Sequence, residues 1–146
     1  MITSLVKAKN FQSAMKTVRQ LEFSIFDFKL HMGNYQGNEI QNLLNSIRKD
    51  LVPLLPPEYN RSQNNFSHIF SGGYSAGYYS YKWAEVLSAD LYLEMIDKGI
   101  FESGLNFKFR DEVLKKGGSA SMSELFYKIL NRQPDETKLL RLHGID

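Results

Sequence analysis

Between Asn65 and Trp83 the chain reads NFSHIFSGGYSAGYYSYKW, which gathers four tyrosines, a histidine and three glycines. Leu, Ile, Val and Phe leave no polar atom behind when buried, whereas every buried tyrosine hydroxyl needs a partner. If a helix begins near Gly77, Tyr78 and Tyr81 stand three apart on one face and Tyr74 sits just before the first turn. The three hydroxyls then converge on one side, while Tyr79 falls away toward the Trp83 side as a packing residue. Gly72, Gly73 and Gly77 allow positive φ and close backbone approach. Phenols so placed suit one chemistry in particular, because a neutral phenol donates to an oxygen on which negative charge develops. One preorganised donor of this kind is worth about 3 kcal/mol in a transition state. The same spacing also suits tyrosines that line a seam between helices with their hydroxyls on water or carbonyls, and spacing alone leaves both readings open. His68 raises a similar choice between a surface residue and a ligand. His31 and His143 show no metal-ligand spacing with it, no HExxH occurs, and no metal site is expected from this chain alone.

The elements that must position these residues are helical by pattern. From Phe11 to about Met32 the apolar residues Phe11, Met15, Val18, Leu21, Ile25 and Phe28 recur every three or four positions, which predicts a helix with that stripe inward. Ahead of it, MITSLVKAKNF enters helical sequence almost at once, as a short leading helix or as a chain cut from something larger. Gly33 and Asn34 end the first long helix. A second is predicted over 38–51, with Ile40, Leu43, Leu44 and Ile47 inward and Pro53 closing it. VPLLPPEYNRSQNNF reads as loop, and FSHIF allows a short extended stretch. The helix after the tyrosines ends at Gly99 and carries Trp83, Val86, Leu87, Leu91 and Met95 as its inner stripe. A short helix over 106–115 stops at Gly117-Gly118, Ser121 or Ser123 caps the next, which runs to about Leu130, and Pro134 opens a final turn through Leu142. The fold class expected is all-α, with no internal repeat.

The 146 residues, 42% apolar, suffice for one globular domain with a buried core. Charge is nearly balanced, 18 basic against 16 acidic side chains, with no concentrated run. Nothing electrostatic calls for a nucleic acid or an anionic membrane. No cysteine is present, so disulfides and thiolate chemistry are excluded, which fits a reducing compartment, and the cytoplasm is the expected setting. No secretory leader is recognisable, and no apolar run approaches the eighteen or so residues that a bilayer requires.

The pattern H-I-F-x-G-G-Y-x-A-G-Y-Y-x-Y over 68–81, within NRSQNNFSHIFSGGYSAGYYSYKWAEVLSADLY, resembles the thimet oligopeptidase family of zinc metallopeptidases in the segment that follows their zinc site. KNFQSAMKTVRQLEFSIFDFKLH resembles the helix preceding it, and GIFESGLNFKFRDEVLKKGGSASMSELFYKILNRQPDETKLLRLHGI resembles their C-terminal end. The resemblance implies that residues 1–146 form the C-terminal helical segment of a peptidase that cleaves short peptides in a deep channel. Zinc in the complete enzyme would be held by upstream sequence, an HExxH helix and a further glutamate, with none held by this chain alone. Carried over, His68 would contact the substrate backbone, and Tyr81 with Tyr74 would stabilise the oxyanion formed at the scissile carbonyl. Tyr78 and the Gly72-Gly73 loop would help bind substrate. Asn131 stands where the family usually has glycine, and Ser62 where it commonly has an aromatic residue; both bear on loop shape.

Three functions compete at this point. The chain is the C-terminal part of such a peptidase, inactive alone; or a split-enzyme subunit that needs a separate zinc-bearing chain; or a metal-free peptide-binding module. Its expected partners are short peptides and the upstream zinc-bearing part. Self-association is expected through apolar faces along 11–28 and near 83–95, with no nucleic acid and no membrane.

Overall fold

The computed structural model describes residues 1–145, and these divide into two compact units, Met1–Lys82 and a second that begins at Trp83. In the first unit, α1 (Ile2–Asn10) is separated from α2 (Ser13–Met32) by Gln12, whose φ of +55° is left-handed and breaks the run predicted to start at Phe11. The helix α3 (Asn38–Leu51) has the predicted bounds and ends where Val52 turns extended ahead of Pro53. Single 3-10 turns at Ser62–Asn65 and Ser67–Ile69 follow, so FSHIF is turned rather than extended. Phe26, Leu44, Ile47 and Ile69 form the buried cluster of this unit, with Ile40, Leu43, Phe66 and Tyr78 packed around it.

Most of the stripe expected to face inward along α2 does not, although Ile25 packs on the core. Phe11, Met15, Leu21 and Phe28 are exposed, and the buried residues of α2 are Glu22, Ser24, Phe26 and Asp27. The cause is electrostatic as much as apolar, because the side of α2 that meets α3 and the following loop finds cationic and N–H partners there for two carboxylates. Glu22 accepts from Arg48 Nε at 2.8 Å and from Arg19 at 2.6 and 2.8 Å. Arg48, itself buried, continues to Asn60 Oδ1 at 3.2 Å and to Ser62 Oγ at 2.8 Å. Ser62 thereby ties the start of the tyrosine-bearing segment to α3.

In the second unit, α4 (Ser80–Lys98), whose first residues still belong to the first unit, is followed by α5 (Leu105–Phe109), which continues as a π turn over Arg110–Leu114. After these come α6 (Met122–Leu130) and α7 (Thr137–Leu142). Leu87, Leu91, Leu105, Phe126 and Ile129 are its buried cluster, so each unit has a buried cluster among the described residues. Of the stripe expected on α4, Leu87 and Leu91 are buried, whereas Trp83 is exposed. Ser121 caps α6 by accepting from the Glu124 N–H at 3.3 Å, and Asn131 ends it in the left-handed region at φ +56°. The loop beyond is clamped by Asp90, which is fully buried and accepts from both Arg132 terminal nitrogens at 2.7 Å and from the Asp135 N–H at 2.8 Å. Among the described residues there is no strand, so the all-α class holds, and no helix is long and apolar enough to cross a membrane.

Candidate functional site

The segment 66–81 folds as a succession of tight turns against α2. Gly72 N–H bonds to Ser67 O at 2.9 Å and Tyr74 N–H to His68 O at 3.1 Å. A Cβ on Gly72 would lie 2.7 Å from His68 Cα and 2.8 Å from its carbonyl oxygen, so glycine there is a close-approach requirement. Gly73 takes φ +81°. Gly77 does not need its glycine for φ, because the left-handed residue is its neighbour Ala76, at φ +55°.

The i to i+3 bonds Gly77 to Tyr74, Ser80 to Gly77 and Tyr81 to Tyr78 carry the chain into α4, which begins at Ser80 rather than near Gly77. In such turns residues three apart eclipse one another, so the Tyr78–Tyr81 spacing works as expected even before the helix starts. The rings of Tyr74 and Tyr81 lie 5.0 Å apart and those of Tyr78 and Tyr81 5.2 Å apart. His68 is 6.3 Å from both Tyr74 and Tyr78, and it is exposed. His68, Tyr74, Tyr78 and Tyr81 are therefore one cluster, flanked by the Gly72-Gly73 turn. Tyr79 is outside it, edge-on to Phe28 at 6.2 Å.

The hydroxyls do not all share one task. Tyr81 is hydrogen-bonded to Tyr74, which raises its pKa above the ordinary phenol value, with burial adding to the effect. It remains a neutral donor through the physiological range. Tyr78 is raised too, by burial and against the pull of Arg19, but its hydroxyl donates to Gln20 Oε1 at 3.1 Å. Two of the three hydroxyls meet and the third is committed to α2, where Gln20 follows Arg19, whose guanidinium lies 4.3 Å over Phe23. Phe23 in turn packs on Phe66 at 4.9 Å and on Tyr78 at 5.7 Å, so α2 forms the floor of the cluster.

Sequence reasoning missed Asp27. Its Oδ1 accepts from the Ala76 N–H and its Oδ2 from the Tyr78 N–H, each at 2.9 Å. An aspartate set between Phe26 and Phe28 in an apolar run was the available signal. Zinc has no seat among these residues: no group of three or more His, Asp or Glu side chains among the described residues could hold a metal ion. The buried carboxylates are engaged by Arg19, Arg48, Arg132, His31 and backbone N–H groups instead.

The model of peptidase family M3 matches residues 1–145. The chain belongs to that family. This M3 chain is 47% identical over 146 residues to oligopeptidase A of Haemophilus influenzae, which covers 99% of the chain and 21% of that protein. It is 42% identical over 148 residues to oligopeptidase A of Escherichia coli, with 99% and 22% covered, and 33% identical over 147 residues to saccharolysin of Saccharomyces cerevisiae, with 99% and 21% covered. The M3 chain thus spans about a fifth of the length of these relatives.

Proposed function

We propose that this chain is the C-terminal part of a zinc-dependent oligopeptidase that hydrolyses short peptides, and that it supplies the substrate-binding and oxyanion-stabilising side of the active site. The observation that carries this reading is the contact between Tyr74 and Tyr81, in which the hydrogen bond to Tyr74 raises the pKa of a phenol that is already neutral at physiological pH. A preorganised pair of phenols with few competing partners can turn its protons toward an oxygen as charge develops on it. His68, exposed beside the pair, contacts the substrate backbone, and Tyr78 and the Gly72-Gly73 turn shape the binding surface. Tyr78 does so through its ring and its oxygen lone pairs, because its proton goes to Gln20. The metal that such a peptidase uses would be held by sequence outside these 146 residues. The proposed setting is the cytosol.

The test is a graft of residues 1–146 in place of the matching region of Haemophilus influenzae oligopeptidase A. The chimera is expected to cleave short peptides, while the chain alone does not. In the chimera Tyr81→Phe lowers kcat by on the order of a hundredfold and leaves KM within a few fold, as for a donor used chiefly in the transition state. An unchanged kcat would remove the oxyanion role, and an equal loss with Tyr79→Phe would reduce the cluster to packing.

A further inference from the structure

Asp27 sits on α2 with no exposed surface, yet all its side-chain partners except His31 lie on the tyrosine loop. Oδ1 takes the Ala76 N–H at 2.9 Å and lies 2.9 Å from His31 Nδ1, while Oδ2 takes the Tyr78 N–H at 2.9 Å. The intervening Gly77 N–H turns the other way, to Tyr74 O at 2.8 Å. The loop therefore wraps two N–H groups around one carboxylate, the kind of concavity in which backbone holds an anion. Ala76 reaches this shape only by entering the left-handed region at φ +55°, which a Cβ disfavours. Something must hold it there, and Asp27 is the group bonded to its N–H.

We propose that Asp27 is the positioning residue of the phenol pair: by gripping the N–H groups of Ala76 and Tyr78 it fixes the turn that brings Tyr74 against Tyr81. This rests on the reading of Tyr74 and Tyr81 as the reacting-side phenols. Its structural content stands apart from that reading, because Asp27 touches neither ring and acts only through the backbone between them.

The experiment uses the 146-residue chain with tyrosine labelled at the phenolic carbon, so that each hydroxyl titrates as its own NMR signal. In the unaltered chain the Ala76 and Tyr78 amides exchange with solvent at least about 100-fold more slowly than unstructured amides, and Tyr81 titrates above the ordinary phenol value. In Asp27→Asn both amides lose protection and Tyr81 falls toward the ordinary value of about 10. Adding Ala76→Gly to Asp27→Asn restores part of the Tyr81 shift, because glycine enters the left-handed turn without help. Unprotected Ala76 and Tyr78 amides in the unaltered chain would overturn the proposal with no variant needed. So would an unchanged Tyr81 titration in Asp27→Asn, or a failure of Ala76→Gly to restore any of it. Loss of protection at Leu44 and Ile47 in Asp27→Asn would assign the residue to the whole unit rather than to the loop, and would overturn it too. None of these readouts involves peptide hydrolysis, so an inactive chimera would count against the functional reading and leave this one standing.

Discussion

Glu22→Gln removes one charge and almost no volume from the first unit, and the consequence can be worked from its partners. Glu22 is fully buried, and Arg48 beside it is 2% exposed. With the carboxylate gone, the Arg48 guanidinium keeps only neutral acceptors, the new amide oxygen and the oxygens of Asn60 and Ser62. Stranding a buried charge in this way costs about 3–5 kcal/mol. Arg19 adds little to that figure, because its side chain is 40% exposed and water replaces the lost contact. A unit the size of Met1–Lys82 holds about 4–12 kcal/mol at the usual stability per residue, so the loss removes about a quarter of it or more. The double variant Glu22→Leu/Arg48→Met removes both charges together and is expected to recover most of the stability, since a buried pair replaced by apolar side chains is often close to neutral. Urea unfolding followed by tyrosine circular dichroism, with amide exchange at Leu44 and Ile47, measures all three proteins. A loss under about 1 kcal/mol for Glu22→Gln, or a double variant at least as unstable as the single, would refute the reasoning.

Three further outcomes are expected. In the second unit the carboxyls of Glu94, Asp97 and Asp135 are held below their ordinary values, by Lys98 and then Arg132, by Arg141, and by the Thr137 hydroxyl respectively. A lowered folded pKa means stability that is complete above the ordinary carboxylate range and lost as pH falls through the depressed values, so the unit holds steady from about pH 7 to about pH 5 and weakens below about pH 4; unfolding that became harder on acidification would contradict this. Asn131→Ala is expected to destabilise by about 1 kcal/mol and Asn131→Gly to be neutral or stabilising, because the position is left-handed at φ +56°; equal effects in thermal unfolding would argue against the cap. The chain is expected to self-associate at micromolar concentration through α2, where Leu21, Phe28 and Met32 are 39%, 45% and 73% exposed, and Leu21→Glu/Phe28→Glu is expected to return a monomer; light scattering that shows a monomer before substitution would remove the idea.

How much of this was legible depended on whether a residue's role was local. The α3 helix, the Ser121 cap and the eclipsed Tyr78–Tyr81 pair follow from periodicity, capping chemistry and turn geometry within a few residues of themselves, and all three are present. Of the three glycines expected to allow positive φ, Gly73 takes it, but beside Gly77 the left-handed residue is Ala76, whose N–H is held by a carboxylate 49 positions away. The partners of Glu22 and Asp27 are not legible for the same reason: Arg48 and the loop N–H groups that pair with them are far off in sequence.

The α2 helix shows why a hydrophobic stripe was a poor guide to orientation here. Reading a stripe as inward assumes that the chain in hand supplies whatever the stripe packs against. Instead, α2 buries Phe26 among Leu44, Ile47 and Ile69 and carries its two carboxylates into that same interface, where Arg48 and the Ala76 and Tyr78 N–H groups meet them. Once Glu22 and Asp27 are buried, Leu21 and Phe28, about a half-turn round the helix, must face outward. They line an apolar groove of about 700 Å³ with Ile25, Met32 and Tyr79. The polar face is thus the internal one because it holds the tyrosine loop in place, and the apolar face is left for another surface. The same helix turns Gln20 and Phe23 to the phenol cluster, so a partner docking on the groove would bear on the element that floors the site.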